Sequence, residues 1–381
     1  MTDNVGELDL SLHMKKIPLK TPLIIGAFLA LSVSLFGSTV TTTPVGYITK
    51  TADASSDLKL GLPFKKAASL TAAVSSVSSG TITVAGVVPD VTSDAHYVWF
   101  TSGDSVGNWY QVTASDSSTL TVSDDIEASL SVGDTFEVIP FWTLNTLFPS
   151  GAGFIASSNV FSPSGLVLTN NVQAIGVNLA PESAYFYHDG GQIPAGWYQN
   201  GALGAGEKSD VVLTPESFIT IRNLSLTGVE VTVAGTVPSV TVSNSIVQYD
   251  TGRQDNLVAN PFPAGVKLSE SCLVYNNPEV GEEAVLTGTM DPSVNVFAPD
   301  DLLLVYNSYT GTNPAPDKAF LYHDGSQIPA GWYQNGALGS GEQSSYEIPA
   351  GAAVVIRKAA GGNTLLSWSP DLPYSLVDTT P

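Results

Sequence analysis

Apolar and polar residues alternate with a period of two over much of the chain. The pattern runs through TITVAGVV from Thr81, YVWFTS from Tyr97, TLTVS from Thr119, TFEVIPF from Thr135, FITIRN from Phe218 and VEVTVAG from Val229. A strand sends successive side chains to opposite faces, so this period predicts half-buried strands, and the Thr, Val, Ile and aromatic content suits them. Gly, Asn, Asp, Ser and Pro punctuate the runs at intervals of roughly 8–12 residues, the spacing of short strands joined by turns. Beyond Lys50 no stretch of helical length carries apolar positions at i, i+3, i+4 and i+7. The nearest approach, Leu60 to Val74, is interrupted by Gly61 and Pro63. The expected fold is all-β, built of tandem β-sandwich or β-barrel-like modules.

One run departs from the alternation. Leu23 to Phe36 (LIIGAFLALSVSLF) is continuously apolar, follows Lys15, Lys16 and Lys20, and ends at Gly37-Ser38. A basic stretch, a short apolar run and small residues at its end describe a secretory signal peptide, and the run falls short of the roughly 20 residues of a membrane span. Residues 1–38 are expected to be that signal, with a retained N-terminal anchor as the alternative. Met14 competes with Met1 as the start, because Met1 to His13 is acidic where a signal would be basic. No later stretch approaches membrane length, so no transmembrane segment is expected after signal removal. The implied location is secreted, extracellular or cell-surface.

An internal repeat organises the rest. Residues 184–207 (AYFYHDGGQIPAGWYQNGALGAGE) and 319–342 (AFLYHDGSQIPAGWYQNGALGSGE) are identical at 20 of 24 positions. The register continues through Gly176/Gly311, Asn178/Asn313 and Arg222/Arg357, with a looser likeness of LNTLFPSG from Leu144 to VANPFPAG from Val258. Three units follow: 39–142, an unrepeated N-terminal β module; 143–250, the first repeat module; and 251–381, the second. The second carries an insertion around 276–297, expected as a surface loop.

Within each block, Asp189-Gly190 and Asn200-Gly201, with Asp324-Gly325 and Asn335-Gly336, are turn dipeptides that tolerate positive φ. The block therefore reads as a hairpin. Its aromatics, Tyr187, Trp197 and Tyr198 with their counterparts Tyr322, Trp332 and Tyr333, are candidate binding residues for a sugar or a partner protein. The competing reading places alternate aromatics, such as Tyr187 and Trp197, in the core of a small sandwich.

Composition narrows the function. Fourteen Lys and Arg face 35 Asp and Glu, a net charge of −21, so a general nucleic-acid binder is excluded for want of clustered cations. The acidity keeps an exported β protein soluble and opposes edge-to-edge association. The single cysteine, Cys272, permits no intramolecular disulfide, and its apolar neighbours predict a buried strand position. His188-Asp189 and His323-Asp324 alternate across a strand and do not converge on a metal. Calcium at Asp250 to Asp255 or at Asp300-Asp301 is left open, without a spaced Asp-x-Asp loop. No cofactor is otherwise implied. The chain carries no G-x-S-x-G, H-E-x-x-H or phosphate-binding glycine motif.

PVGYITKTADASSDLKLGLPF, SLSVGDTFEVIPFWTLNTLFP and the paired GWY and IR blocks resemble an uncharacterised family of secreted all-β proteins known mainly from Verrucomicrobia-type bacteria. The resemblance implies a signal-bearing, exported or cell-surface protein, and no activity. The expectation is thus a non-enzymatic structural or adhesive protein that meets copies of itself or another surface protein. Self-assembly would use strand addition through the segment around 39–49. The alternatives are a carbohydrate-binding protein that uses the repeated aromatic hairpins and, third, a secreted hydrolase.

Overall fold

The alternating runs become strands, some buried along their whole length, such as His96–Phe100, and others open to solvent on one face, such as Val229–Thr236. A computed structural model describes residues 43–88, 90–91, 94–277, 285–307 and 310–376, and it is nearly all β. The expected signal segment, residues 1–38, lies outside the described residues, as does the choice between Met1 and Met14.

Six strands close a barrel in the order Leu70–Ser78, Thr81–Val84, Thr119–Val122, Trp109–Ser115, His96–Phe100 and Thr135–Pro140. Its interior is filled by Val74, Ile82, Val98, Phe100, Leu120, Phe136 and Val138. His96–Phe100 is buried along its whole length. Val98 and Phe100 face the barrel interior, while Tyr97 and Trp99 pack outward on Phe141, Val242 and Phe262.

The rest of the described chain is built around two five-stranded antiparallel sheets of one topology. The first runs Ser56–Gly61, Phe218–Asn223, Gly165–Thr169, Ser183–His188, Gly196–Gln199; the second runs Gln254–Ala259, Ala353–Lys358, Leu302–Tyr306, Lys318–His323, Gly331–Gln334. Each copy adds a two-stranded ribbon, Val45–Ala52 with Val229–Thr236 in the first and Asn244–Gln248 with Thr364–Trp368 in the second.

This pairing redraws the expected boundaries. The stretch 39–142 is not one module, because residues 45–61 supply two strands of the first copy and the barrel is inserted between Gly61 and Trp142. The second copy begins at Asn244, ahead of 251. The chain match shifts accordingly. DLKLGLPF from Asp57 aligns with DNLVANPF from Asp255, and both Asp57 and Asp255 pair with the arginine of their own sheet. Leu144 corresponds instead to Leu268: their N–H groups donate to Val211 and Tyr346, which are themselves counterparts, at 3.2 and 2.9 Å. VANPFPAG therefore matches LGLPFKKA and not LNTLFPSG. In the region expected as a surface loop, Val285–Gly288 pairs with Val274–Asn277 as a hairpin; residues 278–284 lie outside the described set. Cys272 is no strand residue. It sits half-buried at φ 55° where the chain reverses between Leu268–Glu270 and Val274–Asn277.

The copies interlock by exchanging one loop each. Arg222 holds Asp57 through two bonds of 2.7 and 2.8 Å, and Asn313 of the second copy joins them, accepting from Arg222 at 2.6 Å and donating its backbone N–H to Asp57 at 2.7 Å. The reverse contact has the same form: Arg357 holds Asp255 at 2.6 and 2.8 Å, with Asn178 of the first copy bonded to both at 2.9 and 2.7 Å. Asn178 and Asn313 both take positive φ, 55° and 52°, a conformation that Asn tolerates better than most residues. A reciprocal contact of this kind is what a two-fold dimer makes, here within one chain. Phe218 of the first copy packs with Leu257, Leu304, Tyr333 and Val355 of the second behind the clasp.

Candidate functional site

The two repeated blocks fold as hairpins of like register, with Tyr187 opposite Trp197 and Tyr322 opposite Trp332. They do not present their aromatics. Trp197 and Trp332 are 0 % and 1 % exposed, Trp197 against Phe148, Phe154 and Tyr187 and Trp332 against Tyr322. Tyr198 and Tyr333, on the opposite face, are also buried, and their hydroxyls donate to Pro194 and Pro329 carbonyls at 3.0 and 2.9 Å. Tyr187 and Tyr322 are half-buried at the edge of the cores. The binding role expected of Trp197, Tyr198, Trp332 and Tyr333 is therefore corrected to a packing role, while Tyr187 and Tyr322 pack edge-on against the indoles with part of their surface open. Both faces of the hairpin are covered: one lies on its own copy's core, and the other clusters with Val160, Leu166, Leu168 and Ile193 in the first copy and with Phe218, Leu257, Leu304 and Ile328 in the second.

The histidines serve the same turn. His188 and His323 are fully buried, and each Nδ1 accepts the backbone N–H two residues on, from Gly190 and Gly325, at 3.0 Å. The neighbouring Asp lies 3.8 Å away in both copies. Among the described residues no group of three or more His, Cys, Asp or Glu could hold a metal ion. Two carboxylates considered for calcium are committed elsewhere, Asp255 to Arg357 and Asp301 to Lys358.

Two depressions border the barrel. One is narrow, about 40 Å³, and is walled by Phe64, Trp99, Trp142 and Pro261. Lys65 fills its side, paired with Glu137 and lying over the Trp99 ring at 4.4 Å, and burial pulls its pKa down. That space suits a water or two, not an organic ligand.

The other is a cleft of about 860 Å³, within the range of small-molecule sites. Three parts of the fold meet there. The barrel contributes Asn108, Trp109, Tyr110, Gln111 and Asp124; the first copy contributes Val172 to Ala174 and Glu216; the second contributes Tyr249, Gln254 and its ribbon. Trp109 is set edge-on against Tyr97 and Phe141, at 5.8 and 5.7 Å, which fixes its ring while leaving it half-exposed. Gln254 anchors the first-copy wall. Its amide donates to Ala174 O and accepts from Gly176 N–H, both at 2.8 Å. A bond of 3.0 Å from Ser243 N–H to Gly107 O ties the barrel wall to the second-copy ribbon.

The lining combines three aromatics, Trp109, Tyr110 and Tyr249, with amides, serines and two carboxyl groups, and includes no Lys, Arg or His. Burial raises the Glu216 carboxyl to about 7, so it is a mixture of acid and carboxylate near neutrality. Such a surface offers ring faces and neutral donors and acceptors, and it repels anions. These residues carry no signal in the sequence, because they come from three segments with no common motif. Trp109 and Glu216 touch one space only once the barrel is folded back on the copies. No family model, curated protein or solved structure matches the chain.

Proposed function

We propose that this is an exported, non-enzymatic adhesive protein whose contact site is the cleft between the barrel and the two copies, and that its ligand is a neutral glycan. The lining of the cleft carries this reading. Aromatic rings beside amides and hydroxyls match the alternating apolar and hydroxyl faces of a sugar, and the absence of cations disfavours phosphate, sulfate and nucleic acid. The interlocked copies supply a rigid mount, as sustained adhesion requires. The export signal and the surface location belong to the same proposal.

The test is a neutral-glycan array probed with the purified chain, followed by calorimetry on the hits. Trp109→Ala and Tyr249→Ala are expected to weaken binding at least about tenfold, the scale of a lost stacking contact, while surface substitution of Leu226 leaves it intact. An array without hits, or affinity indifferent to both substitutions, removes the proposal. Release of reducing sugar by the unmodified chain, lost in Glu216→Gln, would replace it with a secreted hydrolase in which Glu216 is the acid.

A further inference from the structure

The second copy contains a charged trio that the first copy lacks. Lys358 ends the strand Ala353–Lys358, and both it and Asp301 are fully buried. The Lys358 ammonium contacts Asp301 Oδ2 directly, donates to Thr289 O at 2.8 Å, and lies 3.0 Å from Asp291 Oδ2. Backbone N–H groups grip both oxygens of Asp301, Ala359 donating to Oδ1 at 2.7 Å and Asp291 to Oδ2 at 2.6 Å. Asp291 itself opens to solvent, with its side chain 58 % exposed.

The duplication provides an internal comparison. Ser157 and Ser293 occupy equal places, each receiving a bond from Ser164 or Asp300 at 2.9 Å and each donating to Tyr187 or Tyr322 at 2.8 Å. Counting from them, Asp291 and Asp301 stand where the first copy has Ile155 and Gly165, and Lys358 stands where it has Asn223. Asn223 closes its strand end with neutral bonds to Ala52, Asp53 and Thr227 carbonyls at 3.1, 3.0 and 2.8 Å. The fold thus forms without charges at this place. A buried ion pair is a costly way to fill it, since desolvation of both groups opposes their attraction.

We propose that Lys358 and Asp301 condense to an intramolecular isopeptide bond, with Asp291 as the proton carrier. A proton passes from the ammonium to the Asp301 carboxylate, giving amine and neutral acid. The Nζ lone pair attacks Cγ, and the oxygen that becomes negative, Oδ1, is held by the Ala359 N–H. Asp291 removes a proton from the attacking nitrogen and returns it to Oδ2, which leaves as water while the carbonyl re-forms. The net change is ammonium plus carboxylate to amide plus water, with no other reactant. Burial supports the step by holding the Asp301 carboxyl above its usual range. Fixed proximity supplies the rest, because well-oriented intramolecular acyl transfers behave as if at about 10⁵ M or more. The product removes both buried charges and locks strand Ala353–Lys358 covalently to the chain entering Leu302–Tyr306.

Intact mass spectrometry of the native full chain tests this, with Lys358→Arg as the mass reference so that N-terminal processing cancels. After correction for the substitution, the unmodified chain is expected to be lighter by one water, and trypsin should yield a branched peptide joining Lys358 to Asp301. Asp301→Asn should lose ammonia instead. Asp291→Asn should slow bond formation about a hundredfold or more, as loss of a proton carrier does. A native chain of full mass, with trypsin cleaving after Lys358 once the protein is denatured, overturns the proposal without recourse to any variant.

Discussion

At the scale of single residues, environment decides roles that residue type leaves open. Trp197 and Trp109 are the same amino acid in strands of similar pattern, yet the first is sealed against Phe148 and Phe154 and the second lines a cleft. Glu216 differs from most of the acidic residues in that burial raises its carboxyl to about 7. Its linkage to stability has a definite sign. A carboxyl with a folded pKa above its unfolded value binds more protons when folded, so its contribution is full below about pH 4.5 and declines as pH rises to about 7. Glu216→Gln is expected to flatten the stability profile over that window, by at most about 3 kcal/mol. Urea unfolding at pH 4.5 and 7.5 measures it, and equal pH dependence in both proteins contradicts it.

At the scale of elements, the loop exchange is the feature with most leverage. Asp57 is 2 % exposed and is held by Arg222 from 165 residues away and by Asn313 of the other copy. Arg222→Ala strips the buried carboxylate of its guanidinium partner and leaves it the Asn313 backbone N–H. The expected loss is about 3 kcal/mol, with much of it recovered in the double variant Arg222→Ala, Asp57→Asn. Denaturant midpoints of the three proteins decide the matter, and an additive double variant argues against the clasp. Much of this was already present in the sequence as the aligned Asn178/Asn313 and Arg222/Arg357. What could not be read was that each Asn belongs to the arginine of the opposite copy. Spacing along a chain specifies the repeat but not which surfaces the copies turn toward each other.

At the scale of the whole molecule, the barrel is a guest in the first copy. Its entry and exit lie side by side, for the Trp142 indole donates to Phe64 O at 2.9 Å and Lys66 reaches Phe141 O at 3.4 Å. Replacement of 67–140 by a short Gly-Ser linker should therefore leave the paired copies folded, with cooperative unfolding by circular dichroism. Solubility should fall, since Val242 and Phe262 lose the cover of Tyr97 and Trp99. Glycan binding should vanish with Trp109. Loss of cooperative unfolding would show instead that the barrel is part of the copies' own core.

The amino-acid order alone determined that this chain is all-β, that a hairpin block occurs twice, and where its tight turns fall. Those features follow from local geometry, the period of two in an extended backbone and the positive φ that Asp-Gly and Asn-Gly allow. Tertiary structure alone decided that the hairpin aromatics are core, that residues 45–61 return to the first copy across the barrel, and that three distant segments wall one cleft. An alternating strand has two faces of unequal character, and only its long-range partners determine whether the second is covered.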